Sequence, residues 1–218
     1  MSEGLVGAIE SIIESTQERF YGVAVGLVSD INDPLGQGRV KVSLPWFNEN
    51  EVSGWARVAS LSAGSNYGHY FVPMINEEVL VAFEQGDIEQ PYIIGRLWNL
   101  QDMPPEFSPL LGKSHIRTIT GHDIVFDDIT QSIEISTSTF QKITLEPTKI
   151  EMSNLAGTVT VTLDNTAQSI TLQAAASIEL KAPSIKIEGL NVEINGTAQT
   201  DVKSAGICNV QAPLVKIN

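Results

Sequence analysis

Ala182-Pro183-Ser184-Ile185-Lys186-Ile187 is echoed thirty positions later by Ala212-Pro213-Leu214-Val215-Lys216-Ile217. At the same offset the pair Ile178/Leu180 maps onto Cys208/Val210. The echo closes a longer series. Ile133/Ile135, Ile143/Leu145, Ile150/Met152, Val159/Val161, Ile170/Leu172, Ile178/Leu180, Ile185/Ile187 and Val192/Ile194 recur at steps of seven to eleven residues through 131–218. Within each pair the period is two, which sets both side chains on one face of a strand. Ser, Thr, Asn, Gly and Pro fill the intervals, and these residues turn a chain more readily than they build a core.

The step length constrains the architecture. One coil of a single-chain parallel β-helix takes roughly twenty residues, comparable to a leucine-rich repeat. A unit near eight supplies a strand of about five residues and a corner, which is one side of a prism. A single chain cannot shield two apolar residues per strand, so three copies wound about a common axis are predicted. Their core would be Ile170, Leu172, Ile178, Leu180, Ile185, Ile187, Val192, Ile194, Cys208, Val210, Val215 and Ile217. A β-sandwich of the same short strands is the alternative, although sandwich strands seldom keep so even a step.

Bulk properties exclude several classes. The chain has 218 residues, 42% hydrophobic and 18% charged, which suits one large or two modest folded domains. No run approaches eighteen apolar residues. Met1-Ser2-Glu3-Gly4 lacks the basic start and apolar core of a secretory signal, so synthesis in the cytoplasm without a signal peptide is expected. The net charge is −13, of which −10 falls in residues 1–110. Such a surface repels phosphate backbones, so no nucleic-acid partner is expected. The lone cysteine, Cys208, leaves no intrachain disulfide and is expected inward as a small hydrophobe.

Upstream of the repeats, Leu5, Ile9, Ile12 and Ile13 fall at helical spacing and predict an amphipathic helix over 4–17, within an arm of residues 1–20. Residues 21–100 alternate with period two. Strands are expected over 21–29, 38–44, 54–59, 70–72, 78–84 and 91–98, with a turn at Asp33-Pro34-Leu35-Gly36. Five to six strands in eighty residues suit a small closed barrel of the OB type. Few exposed pairs of aromatic and basic residues are expected on it, which favours a scaffold over a nucleic-acid binder. Met103-Pro104-Pro105 and Ser108-Pro109 mark a stiff linker over 101–115, and 116–218 forms the repeat domain.

The residues of an enzyme are hard to find. His69, His115 and His122 show no His-x-x-x-His spacing, and there is no Cys-x-x-Cys, so neither metal nor cofactor is expected. Asp127-Asp128 is adjacent on a strand, where neighbours point to opposite faces, so it reads as a solvated strand end. A Gly-x-Ser-x-Gly elbow, a Gly-rich phosphate loop and a facing carboxylate pair are also missing from the sequence pattern. The expectation is a protein with no catalytic residues. A glycan-cleaving β-helix and a nucleic-acid-binding OB protein are the competing readings.

Several stretches carry a family likeness. They are residues 21–26 (Tyr21-Gly22-Val23-Ala24-Val25-Gly26), 32–42 from Asn32-Asp33-Pro34 to Val42, and Leu44-Pro45-Trp46. Further on come Trp55-Ala56-Arg57-Val58-Ala59, 78–87 ending in Gln85-Gly86-Asp87, 91–99 ending in Leu97-Trp98-Asn99, and 120–128 around Gly121-His122-Asp123. Together they resemble the phage baseplate assembly protein V and VgrG-like central spikes of contractile tails and contractile injection systems. The resemblance implies an all-β chain with a short N-terminal helix, an OB-fold barrel and an intertwined, triple-stranded β-helix. It implies a homotrimeric needle that meets a target membrane only on piercing, as part of a phage tail or injection particle.

The long hub region of fused VgrG proteins is missing here. A separate hub protein is therefore expected to seat Leu5, Ile9, Ile12 and Ile13. The end at Val215, Lys216, Ile217 and Asn218 has no His-x-His iron motif and would leave open strand edges. A PAAR-type tip protein is expected to cap it.

Overall fold

A computed structural model describes residues 19–47, 52–106 and 112–216. Among them every regular element is a strand apart from one 3-10 turn, Glu84–Gly86. The sequence places the strands in two bodies.

The first body contains β1 (Val23–Asp30), β2 (Lys41–Ser43), β3 (Arg57–Val58), a small hairpin of β4 (Ala63–Gly64) and β5 (Tyr67–Gly68), β6 (Glu78–Phe83) and β7 (Pro91–Arg96). Five of these form one sheet in the order β2-β1-β6-β7-β3, and β3 runs parallel to β7. A bridge between Val40 and Ala56 joins the two edges, so the sheet curls back on itself as a barrel of OB type. Strict alternation supplies its core. Ala24, Val28, Val40, Val42, Leu44, Ala56, Val79, Val81, Phe83 and Ile93 point inward and are buried. Gly26 sits where a Cβ would lie 3.1 Å from Val81 and 3.2 Å from Leu44, so a larger residue would have to push those side chains aside by a few tenths of an ångström.

The expected turn forms, with the Gly36 amide donating to the Asp33 carbonyl at 3.0 Å and Gly36 at φ +63°. The strand expected over 70–72 does not. The β4–β5 hairpin forms just before it, where only two residues pair on each side. Residues 70–72 hold a single buried-side contact through Val72, too little to fix a strand.

The second body is a meander of seven antiparallel strands: β8 (Lys113–Arg117), β9 (Asp123–Asp127), β10 (Ser132–Ser136), β11 (Lys142–Leu145), β12 (Lys149–Ser153), β13 (Val159–Asp164) and β14 (Ser169–Ala174). Each pairs with the next in unbroken register. Within one chain, therefore, the repeats through Ala174 bond to one another, where the sequence pattern alone suggested that each crosses to a new face. Turns of three to five residues make this possible, since an antiparallel neighbour needs no crossover. Residues 175–216 form no strand within the chain and lie exposed. The expected helix over 4–17 and the hub residues Leu5, Ile9, Ile12 and Ile13 lie outside the described residues, as do Ile217 and Asn218.

Candidate functional site

Register fixes what each face of the meander presents. One row of cross-strand partners runs Ile116–Ile124–Ile135–Ile143–Met152–Val161–Leu172. A parallel row runs Phe126–Ile133–Leu145–Ile150–Leu163–Ile170 on the same face. The opposite face carries His115, Val125, Glu134, Thr144, Glu151, Thr162 and Thr171 in one row. The apolar face is uncovered: Met152 is 46% exposed, Leu172 53% and Ile170 73%. An apolar surface this long and continuous marks an interaction face.

Ion pairs occupy the polar face. The Lys142 ammonium lies 3.2 Å from Glu134, and Lys149 lies 3.3 Å from Glu151. At the head of the sheet Asp123, only 4% exposed, accepts from Arg117 Nη2 at 2.9 Å and faces His115 Nδ1 at 3.3 Å. Glu106, at the end of the described part of the linker, reaches Lys113 at 3.3 Å and His115 Nε2 at 3.4 Å. These contacts tie the linker to the first strand of the meander. Removing Asp123 would leave the half-exposed Arg117 guanidinium and the largely buried His115 Nδ1 without their carboxylate partner. Asp123→Ala should therefore lower the thermal transition of the repeat domain by several degrees, measured by circular dichroism. Asp128→Ala, at an exposed position, should leave it unchanged.

The expected core residues divide at Ala174. Ile170 and Leu172 stand on the apolar face of β14. Ile178, Leu180, Ile185, Ile187, Val192, Ile194, Cys208, Val210 and Val215 fall in the exposed segment that follows, and Lys216 ends it. Ile116, Ile124 and Phe126 belong to the same face but were not among the expected core residues. Their period-two spacing on either side of Gly121-His122 is the signal that would have found them. Asp127 is the last residue of β9, and its carboxylate accepts from the Ile129 and Thr130 amides, both at 3.0 Å. The amides, Thr130 first, hold its carboxyl below the usual carboxylate range. Among the described residues no group of three His, Cys, Asp or Glu side chains is placed to hold a metal ion. No helix among them is long and apolar enough to cross a membrane.

The barrel gathers aromatic and basic side chains on its outer wall. Lys41 lies 5.1 Å and Arg39 5.8 Å from the Trp55 ring, and Arg57 lies 5.6 Å from Tyr92. These aromatic–basic pairs are half-buried, with Arg57 their one exposed member. They gather because Val40 bridges Ala56, which brings the outward neighbours of both residues side by side.

Comparison with known proteins bears on the barrel. Residues 24–98 match the family described as the type VI secretion system/phage-baseplate injector OB domain. The chain is 45% identical over 76 residues to the actin cross-linking toxin VgrG1 of Vibrio cholerae, covering 33% of this chain and 7% of that one. It is 42% identical over 76 residues to the type VI secretion system spike protein VgrG2a of Pseudomonas aeruginosa, covering 33% and 9%. With the spike protein VgrG3 of Vibrio cholerae the identity is 43% over 76 residues, covering 33% and 8%. The matched stretch is thus under a tenth of the length of each of these relatives. Over residues 24–98, a third of its length, the chain is similar to the injector OB domain of type VI secretion systems and phage baseplates and to VgrG spike proteins.

Proposed function

We propose that the chain is the structural central spike of a contractile injection system or phage-tail baseplate, working as a homotrimeric needle. The observation that carries this reading is the uncovered apolar face of the seven-stranded sheet. Three such sheets set face to face would enclose a triangular prism, each chain supplying one side. A five-residue strand makes a side about 17 Å wide, and seven strands stack over about 29 Å. Over residues 175–216, which form no strand within the chain, the extended segments would wind about one another and take their hydrogen bonds from neighbouring chains. The shaft would then have a prism-like upper part and a braided lower part.

Such a shaft resists compression because its hydrogen bonds run along the axis. In the braided part a chain cannot peel off without breaking contacts to both neighbours. Non-enzymatic piercing of a target envelope follows as its task. The hub protein is proposed to seat Leu5, Ile9, Ile12 and Ile13, and a PAAR-type tip protein to cover Val215, Lys216, Ile217 and Asn218. That most of the relatives named above are called spike proteins supports this reading.

Sedimentation of the purified full-length chain, alone and with a PAAR-type protein, tests it. The expected result is a trimer that gains mass on mixing. A stable folded monomer would overturn the trimer, and an unaltered trimer would remove the tip assignment.

A further inference from the structure

The barrel carries a second unoccupied surface. On the outer side of the sheet the cross-strand row Val23–Ala82–Tyr92–Arg57 spans β1, β6, β7 and β3. The row beside it pairs Val25 with Leu80. Val23 is 54% exposed, Val25 46%, and Ile94, at the β7 bulge, 47%. The result is an apolar centre bordered on one side by Tyr92, Trp55, Arg57 and Lys41. Two of the four Lys and Arg in residues 21–100 sit on this border, in a chain of net charge −13. Among the described residues neither Lys41 nor Arg57 has a carboxylate within ion-pair distance, whereas Arg39 is bound to Asp33. An apolar centre with aromatic and arginine neighbours is the composition of a protein interface.

We infer that this wall is the contact by which neighbouring barrels pack around the head of the shaft, each wall meeting the acidic β6–β7 turn of the next copy. The inference rests on the trimer proposed above. Three arguments favour a second copy. The first is the tether. Leu97 donates to Glu78 inside the barrel and Glu106 binds the first shaft strand, so residues 98–105 span at most about 29 Å. Three bodies about 30 Å across, held that close to one axis, meet at millimolar effective concentration. The second is symmetry. A three-fold ring joins unlike patches head to tail, so a basic patch needs an acidic one on the same molecule. The third is charge. The turn that follows β6 carries Asp87 and Glu89, both exposed, while its Glu84 accepts from the Tyr92 hydroxyl of its own barrel at 2.6 Å. A single-stranded nucleic acid would also stack on Trp55 and Tyr92, but the acidic remainder of the chain repels a polyanion.

Zero-length carbodiimide coupling in full-length trimers assembled from a mixture of isotopically light and heavy chains tests the contact. Sedimentation is run first, and a monomer there overturns the trimer and this contact together. In a trimer, light–heavy peptides joining Lys41 to Asp87 or Glu89 are expected. They should vanish in Lys41→Arg, which keeps the charge but does not couple. The double variant Lys41→Glu, Arg57→Glu should remain a trimer through its shaft while β1 and β7 amides exchange faster. A trimer with no interchain coupling at Lys41 and unchanged exchange in the double variant would overturn the inference. So would salt-sensitive binding of a single-stranded oligonucleotide that protects Lys41 from coupling, because it would assign the wall to nucleic acid.

Discussion

A chain carrying Ile185→Asp should sediment as a monomer under conditions that give a trimer for the natural sequence. Ile185 is 52% exposed in the single chain and lies on the side of the repeat pattern proposed to face the axis. Burying an isoleucine contributes roughly 1.5–3 kcal/mol, and three-fold symmetry repeats the loss in every copy. The sum is on the order of 5–9 kcal/mol, comparable to the whole stability of an ordinary domain. Three carboxylates brought together at the axis add repulsion in a poorly solvated space. The neighbouring Lys186, paired with Glu188 at 2.7 Å on an exposed surface, supplies the control. Exposed pairs contribute little, so Lys186→Asp should leave the trimer intact. A trimer from Ile185→Asp, or equal loss in both variants, would refute the inward assignment.

Asp33→Asn should produce the largest loss of barrel stability among single polar substitutions. Its carboxylate accepts five hydrogen bonds: from the amides of Leu35 at 3.0 Å, Gln37 at 2.8 Å and Arg39 at 3.3 Å, and from Arg39 Nε at 3.1 Å and Nη2 at 2.6 Å. The Arg39 guanidinium first, then these amides, hold the Asp33 carboxyl well below the usual carboxylate range. The sign of the pH dependence follows. A depressed carboxyl contributes stability that is fully present above its unfolded pKa of about 3.9 and is lost as pH falls through the folded value. The melting temperature of Asp33→Asn should therefore lie several degrees below that of the natural chain from pH 5 to 8, and the gap should begin to close below about pH 4. Trp46, Trp55 and Trp98 are the only tryptophans, and all lie within residues 21–100, so their fluorescence reports this body alone. Equal melting temperatures at neutral pH would show that the turn holds without its carboxylate.

Much of the barrel was legible because its inward residues alternate. Val40, Val42 and Leu44 alternate along the strand expected over 38–44 and are buried together. The segment 70–72 misled because an aromatic run resembles a strand, and only pairing partners distinguish the two. The aromatic–basic wall was invisible for a related reason. Arg39 and Lys41 are close in sequence, but Trp55, Arg57 and Tyr92 join them only through the Val40–Ala56 bridge and the parallel β3–β7 pair.

By itself the sequence determined the all-β character and which residues of the repeats through Ala174 share a face. Those follow from the period of two and from turn chemistry, which are local properties of the chain. Only the tertiary structure decided that repeats through Ala174 pair with one another while residues 175–216 do not, and that Glu106 fastens the linker through His115 and Lys113. Hydrogen-bond partners across strands, and ion pairs between separate segments, depend on which stretches meet in space. Alternation is blind to that choice, since the same ladder of side chains serves a partner from its own chain or from another.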